Sequence, residues 1–195
     1  MGFILIPLVS FLTALILTPL AGKLGMWWGI VDAPGPRHIH QGTVPRLGGV
    51  ALFFAFLFGL LIMFVLPDSW LPPSQDPKEI VRLVGLLFGT VFAFSVGLID
   101  DRRDLSPRVQ LACQVVAAGI AYLFLIFIER VNNPLTNEVV IFPWPMILLF
   151  TVFWIVGMMN TVNWLDGLDG LAAGVSAIAC AILAIHMYRE GQYSV

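Results

Sequence analysis

From Pro145 to Met187 the chain runs for 43 residues with only two formal charges, Asp166 and Asp169, each followed by a glycine, Gly167 and Gly170. As one straight helix rising 1.5 Å per residue, this stretch would reach about 65 Å. The hydrocarbon core of a bilayer is about 30 Å thick. The stretch must therefore fold back on itself, and the two Asp-Gly pairs mark the return.

Four further apolar runs precede it: Phe3–Ala21, Leu47–Leu66, Ile80–Ile99 and Val109–Ile128. Each has the length of a membrane crossing. Splitting the double stretch near 145–162 and 168–187 predicts an all-α fold. It is a polytopic membrane helical bundle of about six transmembrane helices in a single domain over residues 1–195. Composition agrees, with 59% hydrophobic and 11% charged residues. A soluble domain carries about 25% charged residues. This excludes a soluble enzyme, a nucleic-acid-binding protein and a disordered tail. The net charge of -2 implies no charged partner. Cys113 and Cys180 lie inside apolar runs and read as packing residues rather than a disulfide. Val139–Phe142, between the fourth and fifth runs, reads as a short strand.

The first run has no basic residue before it, and Lys23 follows it. That order is unlike a signal peptide. It favours an outside N-terminus and a cytoplasmic first loop. Loops after spans one, three and five then share one side. They hold Lys23, Arg37, Arg46, Arg102, Arg103 and Arg108, against Lys78, Arg82, Arg130 and Arg189 on the other. The bias has the sign of the positive-inside rule.

Three polar clusters follow the odd-numbered spans. The first holds Arg37, His38, His40 and Arg46, followed by Gly48 and Gly49. Its donors suit phosphate oxygens. Taken alone, it reads more simply as a basic loop that sets topology. The second is Asp100-Asp101-Arg102-Arg103-Asp104. A continuing helix would put Asp100 and Asp104 on one face. Carboxylates at this density suit a hard divalent cation. A solvated turn of Asp–Arg pairs fits the same residues equally. Ser106-Pro107 then reads as the start of the fourth helix. In the third, Asn160, Asn163, Asp166 and Asp169 recur every three residues beside two glycines. Aspartates inside an apolar run cost about 2.5–3.5 kcal/mol each by insertion scales, which marks them as functional candidates. A hydrated reverse turn is the alternative. Cations and carboxylates gathered at one membrane face suit phosphoryl transfer to a lipid acceptor.

Together the motifs resemble a known family, the polyprenyl-phosphate N-acetylhexosamine-1-phosphate transferases. The marks are Asp32-x-Pro34 with Arg37 and His40, Val44-Pro45-Arg46-Leu47-Gly48-Gly49-Val50, Asp100-Asp101-x-x-Asp104, and Asn160-x-x-Asn163-x-x-Asp166-Gly167-x-Asp169-Gly170. The Pro-Arg-Leu-Gly-Gly form looks more like the branch using UDP-N-acetylglucosamine than the one using UDP-muramoyl-pentapeptide. The resemblance implies transfer of N-acetylhexosamine-1-phosphate from a UDP-sugar to undecaprenyl phosphate, releasing UMP, with Mg2+ or Mn2+ as cofactor. It would start cell-wall, lipopolysaccharide or teichoic-acid synthesis at the bacterial cytoplasmic membrane, with the lipid bilayer as the setting and a homodimer as an allowed state. Asp166 is then the expected metal ligand, and Asp100, Asp101, Asp104 and Asp169 are the catalytic carboxylates. Arg37, His38, His40, Arg46, Asn160 and Asn163 are the substrate contacts. His38 stands where the family usually has lysine, so phosphate binding is expected to be pH-sensitive there. The family has more spans and a later His-rich loop, so the chain is expected to be the N-terminal part of that fold. A truncated, non-catalytic fragment or assembly partner is the alternative. A transporter fits less well, because the carboxylates sit at span ends rather than near the bilayer midplane.

Overall fold

The structure is a computed structural model. It describes residues 2–32, 43–71, 76–133, 135–136, 138–168 and 170–190. Among them are six long helices: α1 (Gly2–Trp28), α2 (Gly48–Val65), α3 (Glu79–Arg103), α4 (Pro107–Leu123), α5 (Trp144–Leu165) and α6 (Leu171–Glu190). Two short antiparallel ladders join them, β1 (Val31–Asp32) with β2 (Val44–Pro45), and β3 (Arg130–Asn132) with β4 (Val139–Ile141). The all-α membrane architecture and the helical return near residue 167 are as the sequence predicts. All helices except α4 are long and apolar enough to cross a membrane. The protein is a multi-pass membrane protein.

Two ends differ most from the sequence expectation. α1 runs to Trp28 rather than Ala21. Lys23 interrupts the apolar run, but only Gly29 stops the helix. Gly29 takes φ +69°, its N–H donates to Met26 O, and Ile30 N–H donates to Gly25 O. This paired closure needs a left-handed residue, which glycine supplies without strain. α4 stops at Leu123, 17 residues from its start, rather than at Ile128. The same closure occurs there, with Ile126 N–H donating to Ala121 O. Its left-handed position is Leu125, at φ +64°. A leucine gives no sequence sign of such a stop.

The chain forms two compact units, Met1–Pro73 with Thr90–Ser106, and Ser74–Gly89 with Pro107–Val195. α3 is shared between them. In the first unit α1 packs on α2 through small residues, with Ala51, Ala55 and Gly59 buried four residues apart. A Cβ on Gly59 would overlap Ser10 Oγ on α1. Lipid-embedded helices lack a hydrophobic drive to associate, so close backbone approach supplies the contact. Phe53 of α2 stacks on Phe94 of α3 with ring centroids 4.0 Å apart. In the second unit Ala117 and Ala118 are buried on α4. Gly85 of α3 admits Phe124. Buried Thr151 on α5 accepts the Ile128 N–H at 3.0 Å, pinning the chain that leaves α4. Most large apolar side chains on the helices stay exposed, as lipid-facing surfaces require.

Candidate functional site

The first unit gathers the charged residues around Arg46. The β1–β2 ladder pairs Asp32 with Val44. Just past β2, Arg46 donates from Nη2 to Asp32 Oδ1 at 2.7 Å and from Nη1 to Asp104 Oδ1 at 2.6 Å. One guanidinium therefore joins the ladder to the end of α3. Asp104 first, then Asp32, raise the Arg46 pKa above its ordinary value. The next residue, Leu47, is buried and lies beside the C-terminal turn of α1.

The Asp100–Asp104 cluster sits where α3 ends. The helix stops at Arg103, so Asp104 leaves the helical face that it would share with Asp100 in a continuing helix. Asp104 takes φ +46°, a left-handed conformation that aspartate tolerates better than most residues. Its N–H donates to Asp100 O, and Leu105 N–H donates to Asp100 Oδ1 at 2.8 Å. Asp100 thus closes the helix end and Asp104 turns to Arg46. Asp101 is half-buried and points elsewhere, at one end of a groove between α2 and α3. The groove has a volume of about 460 Å³. Gly49, Phe53 and Phe56 line it from α2, and Ala93, Phe94 and Gly97 from α3. Its lining is apolar apart from Thr90 and Asp101. Gly49 and Gly97 leave room that side chains would fill. The site is an apolar slot along two membrane helices with a carboxylate at its end and a cation in electrostatic reach of that carboxylate.

The second unit holds the remaining polar cluster. Asn160 forms a reciprocal amide pair with Gln114 of α4. Its Nδ2 donates to Gln114 Oε1 at 2.6 Å, and Gln114 Nε2 donates back at 3.4 Å. The same Asn160 nitrogen donates to Val156 O. Asn163 is exposed one turn further along α5. Asp166 ends that helix at φ -80° and ψ 43°, exposed, with its N–H donating to Asn163 O. Gly170, at φ +77°, lets the chain enter α6 directly.

Among the described residues no group of three His, Cys, Asp or Glu side chains stands ready as a metal cage. Arg37, His38, His40 and Asp169 lie outside the described residues. Asp32 and Gln114 emerge from the structure as partners that sequence reasoning did not single out as site residues. Gln114 left a usable signal, an amide in an otherwise apolar run, where polar side chains seek partners. Asp32 left only its place at the start of the first motif.

Comparison with known proteins supplies the family. The model for glycosyl transferase family 4 matches residues 83–195. The chain belongs to glycosyl transferase family 4. Curated relatives extend the match to nearly the whole chain. A probable undecaprenyl-phosphate N-acetylglucosaminyl 1-phosphate transferase of Bacillus subtilis is 32% identical over 95% of this chain and 48% of its own length. An undecaprenyl-phosphate alpha-N-acetylglucosaminyl 1-phosphate transferase of Haemophilus influenzae is 32% identical over 94% of this chain and 47% of its own. A phospho-N-acetylmuramoyl-pentapeptide-transferase of Prochlorococcus marinus is 31% identical over 95% of this chain and 52% of its own. The family 4 chain thus spans about half the length of the curated relatives it matches. No solved structure matches it. The family resemblance read from the sequence is borne out.

Proposed function

We propose that this family 4 chain carries the lipid-acceptor site of an enzyme that moves N-acetylhexosamine-1-phosphate, with N-acetylglucosamine as the expected sugar, from a UDP-sugar to undecaprenyl phosphate. UMP is released, and the product starts a cell-wall or surface polysaccharide. The observation that carries this reading is the α2–α3 groove ending at Asp101. An isoprenoid chain fits an apolar slot between membrane helices, and its phosphate would arrive at the polar helix ends. The names of the relatives support the same acceptor. The basic loops favour the cytoplasmic side of the bacterial inner membrane.

The chemistry follows from charge. An acceptor phosphate monoester has a second pKa near 6 and is largely dianionic at neutral pH. One of its oxygens attacks the sugar-bearing phosphorus, and the bond to the UMP oxygen breaks with its electron pair leaving on UMP. The nucleophile needs no general base. The barrier is repulsion, about 4 kcal/mol for two unit charges about 4 Å apart at an effective dielectric of 20. A bound Mg2+ would offset that repulsion, and Mn2+ accepts similar oxygen donors. Mg2+ characteristically takes one or two carboxylates and completes its shell with phosphate oxygens and water. Exposed Asp166 fits that demand, since among the described residues no hydrogen bond engages its carboxylate. The Asp100–Asp104 cluster does not form a three-carboxylate cage, because Asp100 closes the α3 end and Asp104 holds Arg46. Asp101 would orient the acceptor head. Arg46 would act by fixing the α3 end rather than by gripping phosphate. Arg37, His38, His40, Asn163 and Asp169 keep the roles that their motif implies, and Asn160 would serve through its amide pair with Gln114.

The test is transfer of labelled sugar phosphate from UDP-N-acetylglucosamine to undecaprenyl phosphate, using membranes that lack a host enzyme of this type. Lipid-linked sugar and UMP should appear in equal amounts. Their absence, even when the remaining half of a relative is co-expressed, would refute the reading. The half-length span favours a second reading, a membrane partner without turnover of its own. On that reading product appears only with the co-expressed half, and substitutions lining the groove leave the rate unchanged.

A further inference from the structure

The β3–β4 hairpin is exposed at every strand position, and at its tip Leu135 is 93% exposed. An isolated two-stranded hairpin is at best marginal in water. Its root is tied to a membrane helix. Phe142 N–H donates to Glu129 O, and α5 begins two residues later at Trp144, whose side chain is exposed. A tryptophan at a span entrance marks the level of the lipid headgroups. Three residues per strand extend about 10 Å. The interfacial layer is about 5–8 Å deep on each side. The hairpin therefore stands within or against that layer.

Its two faces carry different side chains. Arg130 pairs with Ile141 and Asn132 with Val139, placing these four side chains on one face. Val131 and Val140 share the other. The flanking bonds Phe142 N–H to Glu129 O and Asn133 N–H to Glu138 O continue the alternation. Both acids therefore belong to the second face. Phe142, also on that face, stacks against Phe150 of α5 with centroids 4.7 Å apart. Phe142 thus seats the root of that face on the protein's own helix, and Glu129 lies in loose ion-pair reach of Arg130, Oε1 to Nε 3.7 Å. The opposite face carries Arg130, Val139 and Ile141 and turns outward.

We propose that the Arg130–Ile141 face docks on the phospholipid headgroup layer, with Val139 and Ile141 entering the upper acyl region and the exposed Arg130 reaching lipid phosphates beyond its loose pair with Glu129. Continuity with the bilayer through α5 and its exposed Trp144, together with the greater exposure of Val139 and Ile141 than of Val131 and Val140, select this occupant over a protein partner. Long cationic side chains at such a boundary keep their charge among the headgroups while their stems lie on apolar surface.

The test uses the full chain in vesicles of mixed neutral and anionic phospholipid, with Cys113→Ala and Cys180→Ala. An environment-sensitive dye is attached at Ile141→Cys, at Val139→Cys or at Val140→Cys. Brominated phospholipid should quench the dye at positions 141 and 139 several-fold more than at 140, and aqueous iodide should show the reverse order. Arg130→Glu should reduce the lipid quenching in anionic vesicles. Equal quenching at the three positions, stronger lipid quenching at 140, or free access of iodide to 141 and 139 overturns the proposal. A dye that neither quencher reaches would mean that a protein covers the face, which also overturns it.

Discussion

Arg46 joins two carboxylates of unequal exposure, and that inequality has a measurable consequence. Asp32 is 21% exposed and Asp104 81%, with Arg46 itself at 31%. Hydrogen bonds to charged groups contribute about 1.5–3 kcal/mol when shielded. An exposed ion pair contributes about 0–1 kcal/mol, since water competes and salt screens it. The Arg46–Asp32 coupling should therefore be about 1.5–2 kcal/mol and the Arg46–Asp104 coupling below about 1 kcal/mol, discounting each for its solvent access. That order holds although the Asp104 bond is the shorter, at 2.6 Å against 2.7 Å. Two double-mutant cycles measure it, combining Arg46→Leu with Asp32→Asn and with Asp104→Asn. Asparagine is the right replacement at 104, because it also tolerates the left-handed backbone there. The readout is thermal unfolding in detergent followed by tryptophan fluorescence, with Trp27 and Trp28 close in sequence to the ladder. Raising the salt concentration should erode the Asp104 coupling first. Equal couplings, or a larger one with Asp104, would refute the ranking by exposure.

Three further outcomes are expected. Gly85→Ala should destabilise the second unit by about 1–3 kcal/mol, the usual cost of overpacking, because its Cβ overlaps Phe124 Cβ. Phe124→Ala should not relieve it and Phe124→Gly should, as followed by unfolding in detergent. Gln114→Leu should leave the Asn160 amide short of its partner at a cost near 1 kcal/mol, the order measured for hydrogen bonds between membrane helices. A double-mutant cycle with Asn160→Leu checks the coupling. Asp76 has its carboxyl held below the usual range, first by the Lys78 N–H and then by Arg82. Its stabilising contribution is present above the unfolded-state value near 3.9 and lost as pH falls below it. The difference in melting temperature between the native chain and Asp76→Asn should shrink over that interval. A difference independent of pH would contradict the pairing.

The sequence revealed features that rest on length and periodicity. A 43-residue apolar stretch had to reverse, and the reversal lies at Asp166–Gly170. The strand expected at Val139–Phe142 is β4, one residue shorter. Helix ends were less legible. Gly29 was a visible stop that Lys23 obscured, whereas Leu125 carries no sign of its left-handed conformation. In the candidate site, the motifs identified Asp100, Asp101, Asp104 and Arg46, but not how they divide their tasks. Residue order cannot show that Arg46 pairs with Asp32 and Asp104 while Asp101 turns to the groove. Those assignments depend on where α3 stops, and the stop lies in a carboxylate bonding its own helix end.

Occupancy of the α2–α3 groove can be measured without turnover. A photoreactive analogue of undecaprenyl phosphate, activated in membranes containing the chain, would be mapped by mass spectrometry of the labelled peptides. Labelling should fall on the α2 and α3 segments around Phe53, Phe56 and Phe94, which line the groove. It should be competed by unlabelled undecaprenyl phosphate and reduced by Gly97→Leu, which fills the slot. Labelling confined to other helices, or labelling of α2 and α3 that the unlabelled lipid fails to displace, would contradict the assignment of the acceptor to this groove.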